Sequence, residues 1–475
     1  MSEIEDAVDA ADELAPLTDA IAAALPSGWK LETLGSLCEK SQYGWTTKAD
    51  KDGQGVKFLR TTDITPGVVD WERVPFCVEA PPDLEKYLIR EGDLLISRTG
   101  SIGVNYLVSN PEPAVFASYL IRFRPKKSTS TKYLRYYLQS PTYWRAIAAG
   151  KKGIAVQNVN ATMLSKIPVP VAPDSEQLEI VAEIEKQFSR LDEAVANLQR
   201  VKANLKRYKA SVLKDAVEGR LVPTEAELAR REGRRFETGE QLLQRILEKR
   251  RDQWSRSGAY KTPLNRSNEK PGELPEGWVW STYEQLGRMQ LGRQRSPKYH
   301  NGPNMRPYLR VQNVFEDRID LSDVMEMEFN ASDFEKYQLA TGDLLLNEGQ
   351  SPELLGRPAI YRGELPGACF TNTLIRFRAA EGVSVEFALH LSRHYMLAGR
   401  FVDEGTITTN IAHLSLGRLA TVEFPLPPFA EQKRIVEEVE RRLSLVRSVQ
   451  TEVDANLKRA QALRQSVLSK SFVSP

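Results

Sequence analysis

Histidine is a common carrier of catalysis and metal binding, and this sequence uses it sparingly. Its 4 histidines, His300, His390, His394 and His413, all lie in the second half of the 475 residues. His390 and His394 are spaced i, i+4 in "FALHLSRHYM", as two zinc ligands on one helix face would be. No cysteine or acidic partner stands at a suitable spacing. A packed or exposed helix face is therefore the favoured interpretation, and no metal site is expected.

Glycine-rich and proline-rich motifs give no better indication of an active site. The stretch "EGDLLISRTGSIG", from Glu91 to Gly103, has a Gly-x-x-Gly step but lacks the Gly-Lys-Ser/Thr of a phosphate loop. The stretch "PLPPF", from Pro425 to Phe429, resembles the Asn-Pro-Pro-aromatic motif of amino-methyltransferases without the Asn or Asp that would hold the target amine. The sequence therefore predicts a protein that is not an enzyme by itself and that needs no cofactor.

Composition excludes several other classes of protein. The 3 cysteines are odd in number and far apart, which argues against a disulfide framework and for a reducing cytosol. No apolar run approaches the roughly 18 residues of a membrane span. The acidic, alanine-rich N-terminus is typical of an amphipathic helix or a partly ordered arm, not of a secretory signal. A net charge of +2 does not announce a nucleic-acid binder, although "ANLKRYKASVLK" and "LLQRILEKRRDQWSR" are dense in Lys and Arg.

An internal repeat organises the chain. "LPSGW" at Leu25 recurs as "LPEGW" at Leu274, an offset of 249. "KFLRTTDI" matches "PYLRVQNV" at an offset of 250, "AVFASYLIRFRP" matches "ACFTNTLIRFRA" at 254, and "SEQLEIVAEIEKQFSRL" matches "AEQKRIVEEVERRLSLV" at 255. The order is kept while the offset drifts slowly. The chain is therefore predicted to be a tandem duplication with small loop insertions.

Each copy predicts a globular part followed by a long helix. Short β-type runs such as "DLLIS" and "IPVPV", interrupted by short helices, indicate an irregular α+β domain. After Gln177 and Gln432, apolar residues recur at helical spacing, which predicts a helix of about 40 residues in each copy. An apolar seam of that length needs a partner helix. Antiparallel packing of the two duplicates is favoured over packing of each helix on its own domain.

The predicted fold is α+β, with two tandem globular α/β domains separated by a pair of long antiparallel helices. These helices would form a coiled-coil spacer with approximate two-fold symmetry. The expected boundaries are 1–24 for an acidic N-terminal arm, 25–174 for the first globular domain, 175–273 for a central helical region and linker, 274–429 for the second globular domain, and 430–475 for a C-terminal helical region. The N-terminal arm could fold back to complete the shortened end of the second copy.

This combination of motifs resembles the specificity (S) subunit of Type I restriction-modification systems. Each half begins with Leu-Pro-x-Gly-Trp, carries Gly-Asp-Leu-Leu in its middle, and leads through a proline-rich strand and Glu-Gln into a long helix. The resemblance implies two target recognition domains that each read one half of a split site in double-stranded DNA. It also implies that the helices act as a ruler between the domains and dock two methyltransferase subunits.

The resemblance places the chemistry on other subunits. S-adenosylmethionine, ATP and magnesium are expected only on the partners, which methylate adenine at N6 and, through motor-nuclease subunits, cut unmodified DNA. A cytoplasmic location in a bacterium or archaeon is expected. The main alternative is a tandem-repeat scaffold that binds two copies of another protein and lacks DNA affinity with steep salt dependence.

Polar loops that differ between the two copies nominate the DNA contacts and predict an asymmetric target. The swapped pairs Thr62/Gln312 and Arg98/Glu348 are the favoured base readers, whereas the shared Arg60 and Arg310 suit phosphates or structure. Any one of them could instead be an ordinary solvated loop residue. The first-half candidates are Tyr43, Thr46, Thr47, Lys48, Arg60, Thr62, Arg98, Thr99, Ser101, Gln157 and Asn158. The second-half candidates are Arg293, Gln294, Arg295, Lys298, Arg310, Gln312, Asn313, Asn347, Gln350, Thr409 and Asn410.

The residues that both copies share are assigned to the framework. Trp29 and Trp278 follow a Leu-Pro turn and are expected to anchor a core instead of stacking on bases. The Glu-Gln pairs at 176–177 and 431–432 are expected to cap or latch the long helices. Four arginines that flank one strand in each half are assigned to phosphates or salt bridges: Arg122, Arg124, Arg376 and Arg378.

Overall fold

The computed structural model describes residues 2–150, 158–254, 260–263, 272–408 and 411–472. The chain divides into two compact units. One unit comprises Met1–Gln199 with Asp454–Pro475, and the other comprises Arg200–Val453. Both long helices therefore contribute residues to each unit. The predicted domain boundaries, which assign the helices to regions of their own, stay a prediction.

The first unit mixes short strands with helices. Its strands are β1 (Lys30–Thr33), β2 (Gln42–Tyr43), β3 (Ala49–Asp50), β4 (Lys57–Leu59), β5 (Phe76–Cys77), β6 (Leu94–Ser97), β7 (Asn105–Leu107), β8 (Ala114–Phe116), β9 (Leu120–Phe123) and β10 (Pro168–Val171). Its helices are α1 (Ser2–Ala23), α2 (Leu34–Leu37), α3 (Thr61–Ile64), α4 (Leu84–Tyr87), α5 (Thr131–Tyr137), α6 (Pro141–Ala149) and α7 (Ala161–Ser165), followed by the long α8 (Asp174–Val217), which the second unit shares.

The second unit repeats this mixture. Its strands are β11 (Val279–Thr282), β12 (Gly287–Leu291), β13 (Met305–Leu309), β14 (Val314–Phe315), β15 (Arg318–Ile319), β16 (Met325–Glu328), β17 (Asp343–Asn347), β18 (Gly349–Gln350), β19 (Pro358–Tyr361), β20 (Cys369–Phe370), β21 (Leu374–Ala379), β22 (Thr406–Thr408), β23 (Ile411–His413) and β24 (Glu423–Leu426). Its helices are α9 (Glu225–Glu232), α10 (Gly239–Asp252), α11 (Tyr283–Leu286), α12 (Ala331–Tyr337), α13 (Val385–Leu397), α14 (Arg400–Glu404), α15 (Leu416–Ala420) and the long α16 (Phe429–Ser471).

The main strand pairings recur in the two units. Each has a four-stranded antiparallel sheet, with order β2-β9-β6-β7 in the first and β12-β21-β17-β19 in the second. Each also has a parallel pair, β4 with β8 and β13 with β20, and an antiparallel pair that joins its first and last strands, β1 with β10 and β11 with β24. The mixed α+β fold is thereby confirmed, and approximate two-fold symmetry stays a prediction.

The Gly-Asp-Leu-Leu runs form the central strands β6 and β17. Successive side chains of a strand point to opposite faces of the sheet. Leu94 and Ile96 accordingly belong to one hydrophobic core and Leu95 to another, just as Leu344 and Leu346 share a core that excludes Leu345. Because both faces are covered, these strands read as continuous apolar runs instead of alternating ones.

The two long helices pack together within each unit. In the first unit Arg464 of α16 pairs with Asp192 of α8 at 2.6 Å, while Phe472 stacks edge-on against Tyr133, whose hydroxyl bonds the Pro170 carbonyl just before α8 begins. The chain directions are therefore opposed. In the second unit the main core combines Val212, Leu213, Ala216 and Val217 of α8 with Ile435, Val439 and Leu443 of α16. Pairing of the helices is thus observed in each unit, whereas their action as a spacer stays a prediction.

A charged cluster ties the turn between β14 and β15 to α8 in the second unit. The Glu316 carboxylate lies 2.6 Å from the Lys209 ammonium and 2.8 Å from the Arg393 guanidinium. Burial opposes ionisation of Glu316, but Arg393 and Lys209 together hold its pKa below the usual value. The ionised form of Glu316 is therefore favoured in the folded protein.

The segments outside the repeat also pack within their units. In α1, Leu14 and Ile21 are buried, and Leu14 shares a core with Val467 and Leu468 near the end of α16. That shared core is what a completing role for the N-terminal arm requires, and the role itself stays a hypothesis.

His390 lies fully buried in α13, where burial and neighbouring arginines lower its pKa to about 3, so it is a packed, neutral side chain.

The described part of the chain contains neither a membrane-spanning helix nor a cluster of metal ligands. No helix there combines the length and apolar character needed to cross a bilayer. No group of three or more His, Cys, Asp or Glu side chains in those residues is placed to hold a metal ion.

Candidate nucleic-acid interface

The Leu-Pro-x-Gly-Trp motif is a tight turn that latches onto the start of each long helix. In both copies the Trp backbone N–H donates to the Pro carbonyl three residues earlier, at 3.2 Å for Trp29 and 3.1 Å for Trp278. The glycine between them has a φ of +87° in the first copy and +90° in the second, which favours glycine at the third position of a type II turn. The turn therefore explains why Gly recurs at these places.

The indole of each tryptophan joins this turn to the Glu-Gln pair. Trp29 Nε1 donates to Glu176 at 3.1 Å, and Trp278 Nε1 donates to Glu431 at 2.8 Å. The following glutamines donate back to carbonyls just before the helix, Gln177 to Ala172 and Gln432 to Pro427. The two most recognisable motifs of the repeat thus bind each other, and the tryptophans are structural anchors.

The latch is more enclosed in the second copy. Glu431 is fully buried and also accepts the Glu225 backbone N–H at 2.7 Å, at the first turn of α9. Burial raises the pKa of Glu431 above its usual value, although these hydrogen bonds lower it. Glu225 in turn pairs with Arg434 at 2.6 Å. Glu176 of the first copy is only half-buried.

A second shared link joins the Gly-Asp-Leu-Leu aspartate to an arginine of the neighbouring strand. Asp93 accepts two hydrogen bonds from Arg124, at 2.7 and 3.0 Å, and Asp343 accepts two from Arg378, at 2.6 and 2.8 Å. Both carboxylates are 1% exposed. Bidentate pairs of this kind fix the geometry of both partners. These arginines form salt bridges, one of the two roles that the sequence assigned to them.

In the first unit, several loops whose sequences differ between the copies lie close together. Tyr43, at the end of β2, accepts the Ala161 backbone N–H at 2.9 Å, and the Arg98 guanidinium lies 5.0 Å from the centre of its ring. The Thr61 and Ser97 hydroxyls are 3.4 Å apart. Residues from four separated stretches of sequence therefore meet at one end of the sheet.

In each unit one glycine lets its loop pass very close to the backbone of a neighbouring strand. A Cβ at Gly44 would lie 2.2 Å from the Ala117 carbonyl oxygen, and a Cβ at Gly292 would lie 2.2 Å from that of Thr371. No side chain fits at those distances. Glycine is thus required where the loop after β2, and the matching loop after β12, passes the end of a neighbouring strand.

The first-unit candidates differ in how exposed and how tightly held their side chains are. Arg60 is held by Asp63 in a bidentate pair at 3.0 and 2.9 Å, and the Thr47 hydroxyl accepts the Glu79 N–H. Arg98 and Thr99 are half-buried. The exposed candidates are Tyr43, Thr46, Lys48, Thr62, Ser101 and Asn158. Gln157 lies outside the described residues. Contact of each with DNA stays a prediction.

The second-unit candidates divide more sharply by burial. Arg310 and Gln350 are half-buried, and Arg310 pairs with Asp323 at 2.5 Å. The exposed candidates are Gln294, Arg295, Lys298 and Gln312, and the buried ones are Arg293, Asn313 and Asn347. Thr409 and Asn410 lie outside the described residues. The exposed side chains are the ones that a duplex could reach without rearrangement.

Arg293 illustrates how burial separates residues that the sequence groups together. It is 8% exposed, pairs with Asp333 at 2.8 Å, and donates to the Glu328 carbonyl. Its guanidinium lies 3.8 Å from the centre of the Tyr299 ring and 4.9 Å from that of Phe329. These contacts hold the guanidinium inside the domain, where it supports the loop that presents its exposed neighbours.

The buried asparagines also face inward. The Asn313 amide donates to the Asp320 and Asp323 carbonyls at 2.9 Å each and so closes the loop around it. Asn347 is fully buried at the end of β17, and among the described residues neither atom of its amide has a hydrogen-bond partner. A direct contact with DNA by either side chain would require the loop to open.

The first copy of the repeat matches a known family of proteins. Residues 26–207 match the family model for the Type I restriction modification DNA specificity domain. Residues 26–207 therefore carry a Type I restriction modification DNA specificity domain, and the chain as a whole is similar to Type I restriction-modification specificity subunits. The resemblance noted in the sequence is thereby confirmed.

Similarity to individual specificity subunits extends over nearly the whole chain. It is 21% identical over 462 residues to the EcoKI specificity subunit of Escherichia coli strain K12, covering 94% of this chain and 89% of that protein. It is 22% identical over 467 residues to the StySPI specificity subunit of Salmonella potsdam, with the same coverage of 94% and 89%. A solved chain from work on complex assembly and conformational transition of the type I R-M system superposes with a TM-score of 0.60 at 18% identity, covering 94% of this chain and 98% of that one. That superposition supports the fold.

One polar side chain at a strand end of the second unit lies outside the loops that the sequence singles out. His413, at the end of β23, lies 3.4 Å from a carboxylate oxygen of Glu348 and is 45% exposed. The β-branched residues in "TITTNIAH" favour a strand there, but they do not show that the strand pairs with β18 and so meets Glu348. Only the tertiary structure brings these two residues together.

Proposed function

We propose that the chain is a DNA-reading subunit that recognises an asymmetric target of two half-sites. One observation carries the proposal: the two copies keep the Trp–Glu and Asp–Arg links of the framework but present unlike polar side chains at the same strand ends. Shared links would place the readers equivalently in each copy, and unlike readers would select different bases. Two copies in one polypeptide thereby imitate a dimer whose halves are free to differ.

Exposed cations beside the polar readers support binding to duplex DNA. Arg295 and Lys298 lie on a groove of about 460 Å³ lined by residues 293–299, Asp333 and Tyr337. Each cation also lies over an aromatic ring, Arg295 on Tyr308 and Lys298 on Tyr299. Such cations suit phosphates, which position a protein on DNA, while neighbouring amides and hydroxyls suit base edges.

The long helices are proposed to set the register of the two readers. Helix α8 has 44 residues and α16 has 43, and each supplies residues to both units. A continuous helix is stiffer than a polar linker and so suits a fixed number of base pairs between half-sites. The same helices are proposed to dock two methyltransferase subunits. Motor-nuclease subunits would complete the complex in a bacterial or archaeal cytoplasm.

The chain itself is proposed to be non-catalytic. S-adenosylmethionine would bind to the methyltransferase subunits, and ATP and magnesium would serve those subunits and the motor-nuclease subunits. The target of methylation is proposed to be adenine N6 within the split site. The proposal therefore separates recognition, on this chain, from chemistry, on its partners.

Methylation mapping tests the proposal directly. Long-read sequencing of the host genome with and without this gene should show N6-methyladenine lost at one split, asymmetric motif. The purified complex should also bind duplex carrying that motif with an affinity that falls steeply as salt rises. An unchanged methylation map together with salt-independent or absent DNA binding would refute the proposal and favour a scaffold that binds two copies of another protein.

A further inference from the structure

Arg98 and Glu348 occupy the same place in the two copies. The Arg98 backbone N–H donates to the Tyr119 carbonyl at 2.9 Å, and its carbonyl accepts the Val159 N–H at 3.1 Å. The Glu348 N–H donates to the Thr373 carbonyl at 2.9 Å, and its carbonyl accepts from Leu414 at 2.7 Å. The partners are equivalent too, because Tyr119 and Thr373 each directly precede β9 or β21, and Val159 and Leu414 each lie two residues before α7 or α15. Both side chains therefore start from the same fixed backbone position, immediately after the central strand.

In the first copy this position carries a cation on an aromatic shelf. The Arg98 guanidinium lies 5.0 Å from the centre of the Tyr43 ring, and Tyr43 is 39% exposed. The Tyr43 hydroxyl is itself fixed by the Ala161 N–H. Among the described residues, the buried Nε of Arg98 has no hydrogen-bond partner. A guanidinium stacked in this way loses little freedom when it meets a planar ligand edge.

In the second copy the same position carries an anion. Glu348 is 23% exposed, and its carboxylate lies 3.4 Å from His413 Nδ1. A Cβ on the adjoining Gly349 would lie 2.9 Å from His413 Nδ1, so this glycine leaves the space in which the imidazole sits beside the carboxylate. A carboxylate is repelled by phosphates. At a DNA surface it therefore serves only where a base edge offers a donor.

We propose that this position reads a base pair in each half-site, with Arg98 selecting guanine and Glu348 selecting cytosine. The guanidinium would donate in parallel to guanine N7 and O6, and the carboxylate would accept from the cytosine N4 amino group. The inference rests on the proposed function, because it assumes that each copy reads one half of a split site. It adds that one backbone position, carrying opposite charge, makes the two half-sites differ.

The test uses the full chain with the methyltransferase subunits of its own system and a plasmid library of randomised duplex DNA. Methylated adenines are mapped to give the base preference at each position of each half-site. In Arg98→Gln, preference for guanine at one pair of one half-site should fall about tenfold or more, with the other half-site unchanged. In Glu348→Gln, preference for cytosine should fall comparably in the opposite half-site alone. Glu348→Arg should convert that preference from cytosine to guanine.

Matched controls keep structural effects apart from recognition. Arg73→Gln and Glu326→Gln remove exposed charges of the same two types and should leave both half-sites unchanged. The inference is overturned if the base preferences stay unchanged in both Arg98→Gln and Glu348→Gln. It is also overturned if methylation falls equally whatever base stands at each position, because Gln fits the same space and leaves the fold intact. If the unaltered complex gives no motif that depends on this chain, the proposed function fails instead.

Discussion

The Trp–Glu latch gives a quantitative prediction, because the same contact occurs twice in different surroundings. In Trp278→Phe the buried Glu431 oxygen loses its indole donor, which costs about 1–3 kcal/mol. The smaller ring leaves a cavity that adds about 1 kcal/mol. In Trp29→Phe both the ring and its partner Glu176 are half-buried, so water can replace the donor and fill the vacated space, and the whole loss falls to about 0.5–1 kcal/mol. The second latch should therefore be weakened by about 2 kcal/mol more than the first.

Native-state hydrogen exchange followed by mass spectrometry measures each latch separately. Protection of β11 and β24 reports the second copy, and protection of β1 and β10 reports the first, so no two-state unfolding of the whole chain is assumed. A difference of about 2 kcal/mol corresponds to about 30-fold in protection. Trp278→Phe should lower protection of its strand pair by that factor more than Trp29→Phe lowers protection of the matching pair.

A double-mutant cycle shows whether the hydrogen bond itself is responsible. Combining Trp278→Phe with Glu431→Gln removes the indole donor and the charge of its acceptor, and the coupling energy between the two changes isolates their interaction. Equal losses of protection in Trp278→Phe and Trp29→Phe, or a coupling energy near zero, would refute the argument that burial of the acceptor sets the strength of the latch.

Three further changes test other parts of the framework. Asp343→Asn should lower the local stability of β17 and β21 by about 2 kcal/mol, seen as lost protection from hydrogen exchange. It breaks a bidentate charged pair while the half-exposed Arg378 stays hydrated, and unaltered protection would contradict this. Gly292→Ala should lower the protection of β12 by a comparable amount, since its Cβ would overlap a backbone carbonyl oxygen, whereas the neighbouring exposed Gln294→Ala should not. The lowered pKa of Glu316 means that its stabilising contribution is present above its usual pKa of 4.5 and is lost as the pH falls through its folded value. Glu316→Gln should therefore destabilise the second unit at neutral pH and remove that part of the acid dependence in a pH series of thermal melts.

The sequence was sufficient for the framework because the shared residues contact one another. Leu-Pro-x-Gly-Trp and Glu-Gln recur together since the indole of one binds the carboxylate of the other. Gly-Asp-Leu-Leu recurs with the arginine strand since Asp343 holds Arg378 as Asp93 holds Arg124. Each such contact constrains two motifs at once. A duplication therefore preserves them in order, and a reader of one sequence can detect them as a repeat.

The same logic fails for the loops that differ between the copies. A difference between the copies shows that a residue is not part of the common framework, but it does not show where the side chain points. Arg293 and Arg295 are two residues apart in one loop, yet the first is buried among aromatic rings and the second is exposed. Asn347 ends a strand that is covered on both faces, so it is buried although it adjoins Glu348. Loop direction depends on contacts that are distant in sequence.

Exposure alone does not identify a base reader either, and fixed position supplies the missing criterion. A side chain that starts from a mobile backbone pays an ordering cost on binding and discriminates weakly. Arg98 and Glu348 start from backbone atoms held by equivalent hydrogen bonds in the two copies, whereas their charges are opposite. Stability does not require opposite charges at one fixed backbone position, but under the proposed function such charges would let the two copies select different bases. The best readers in a duplicated specificity subunit should therefore lie where the backbone is most alike and the side-chain chemistry is most different.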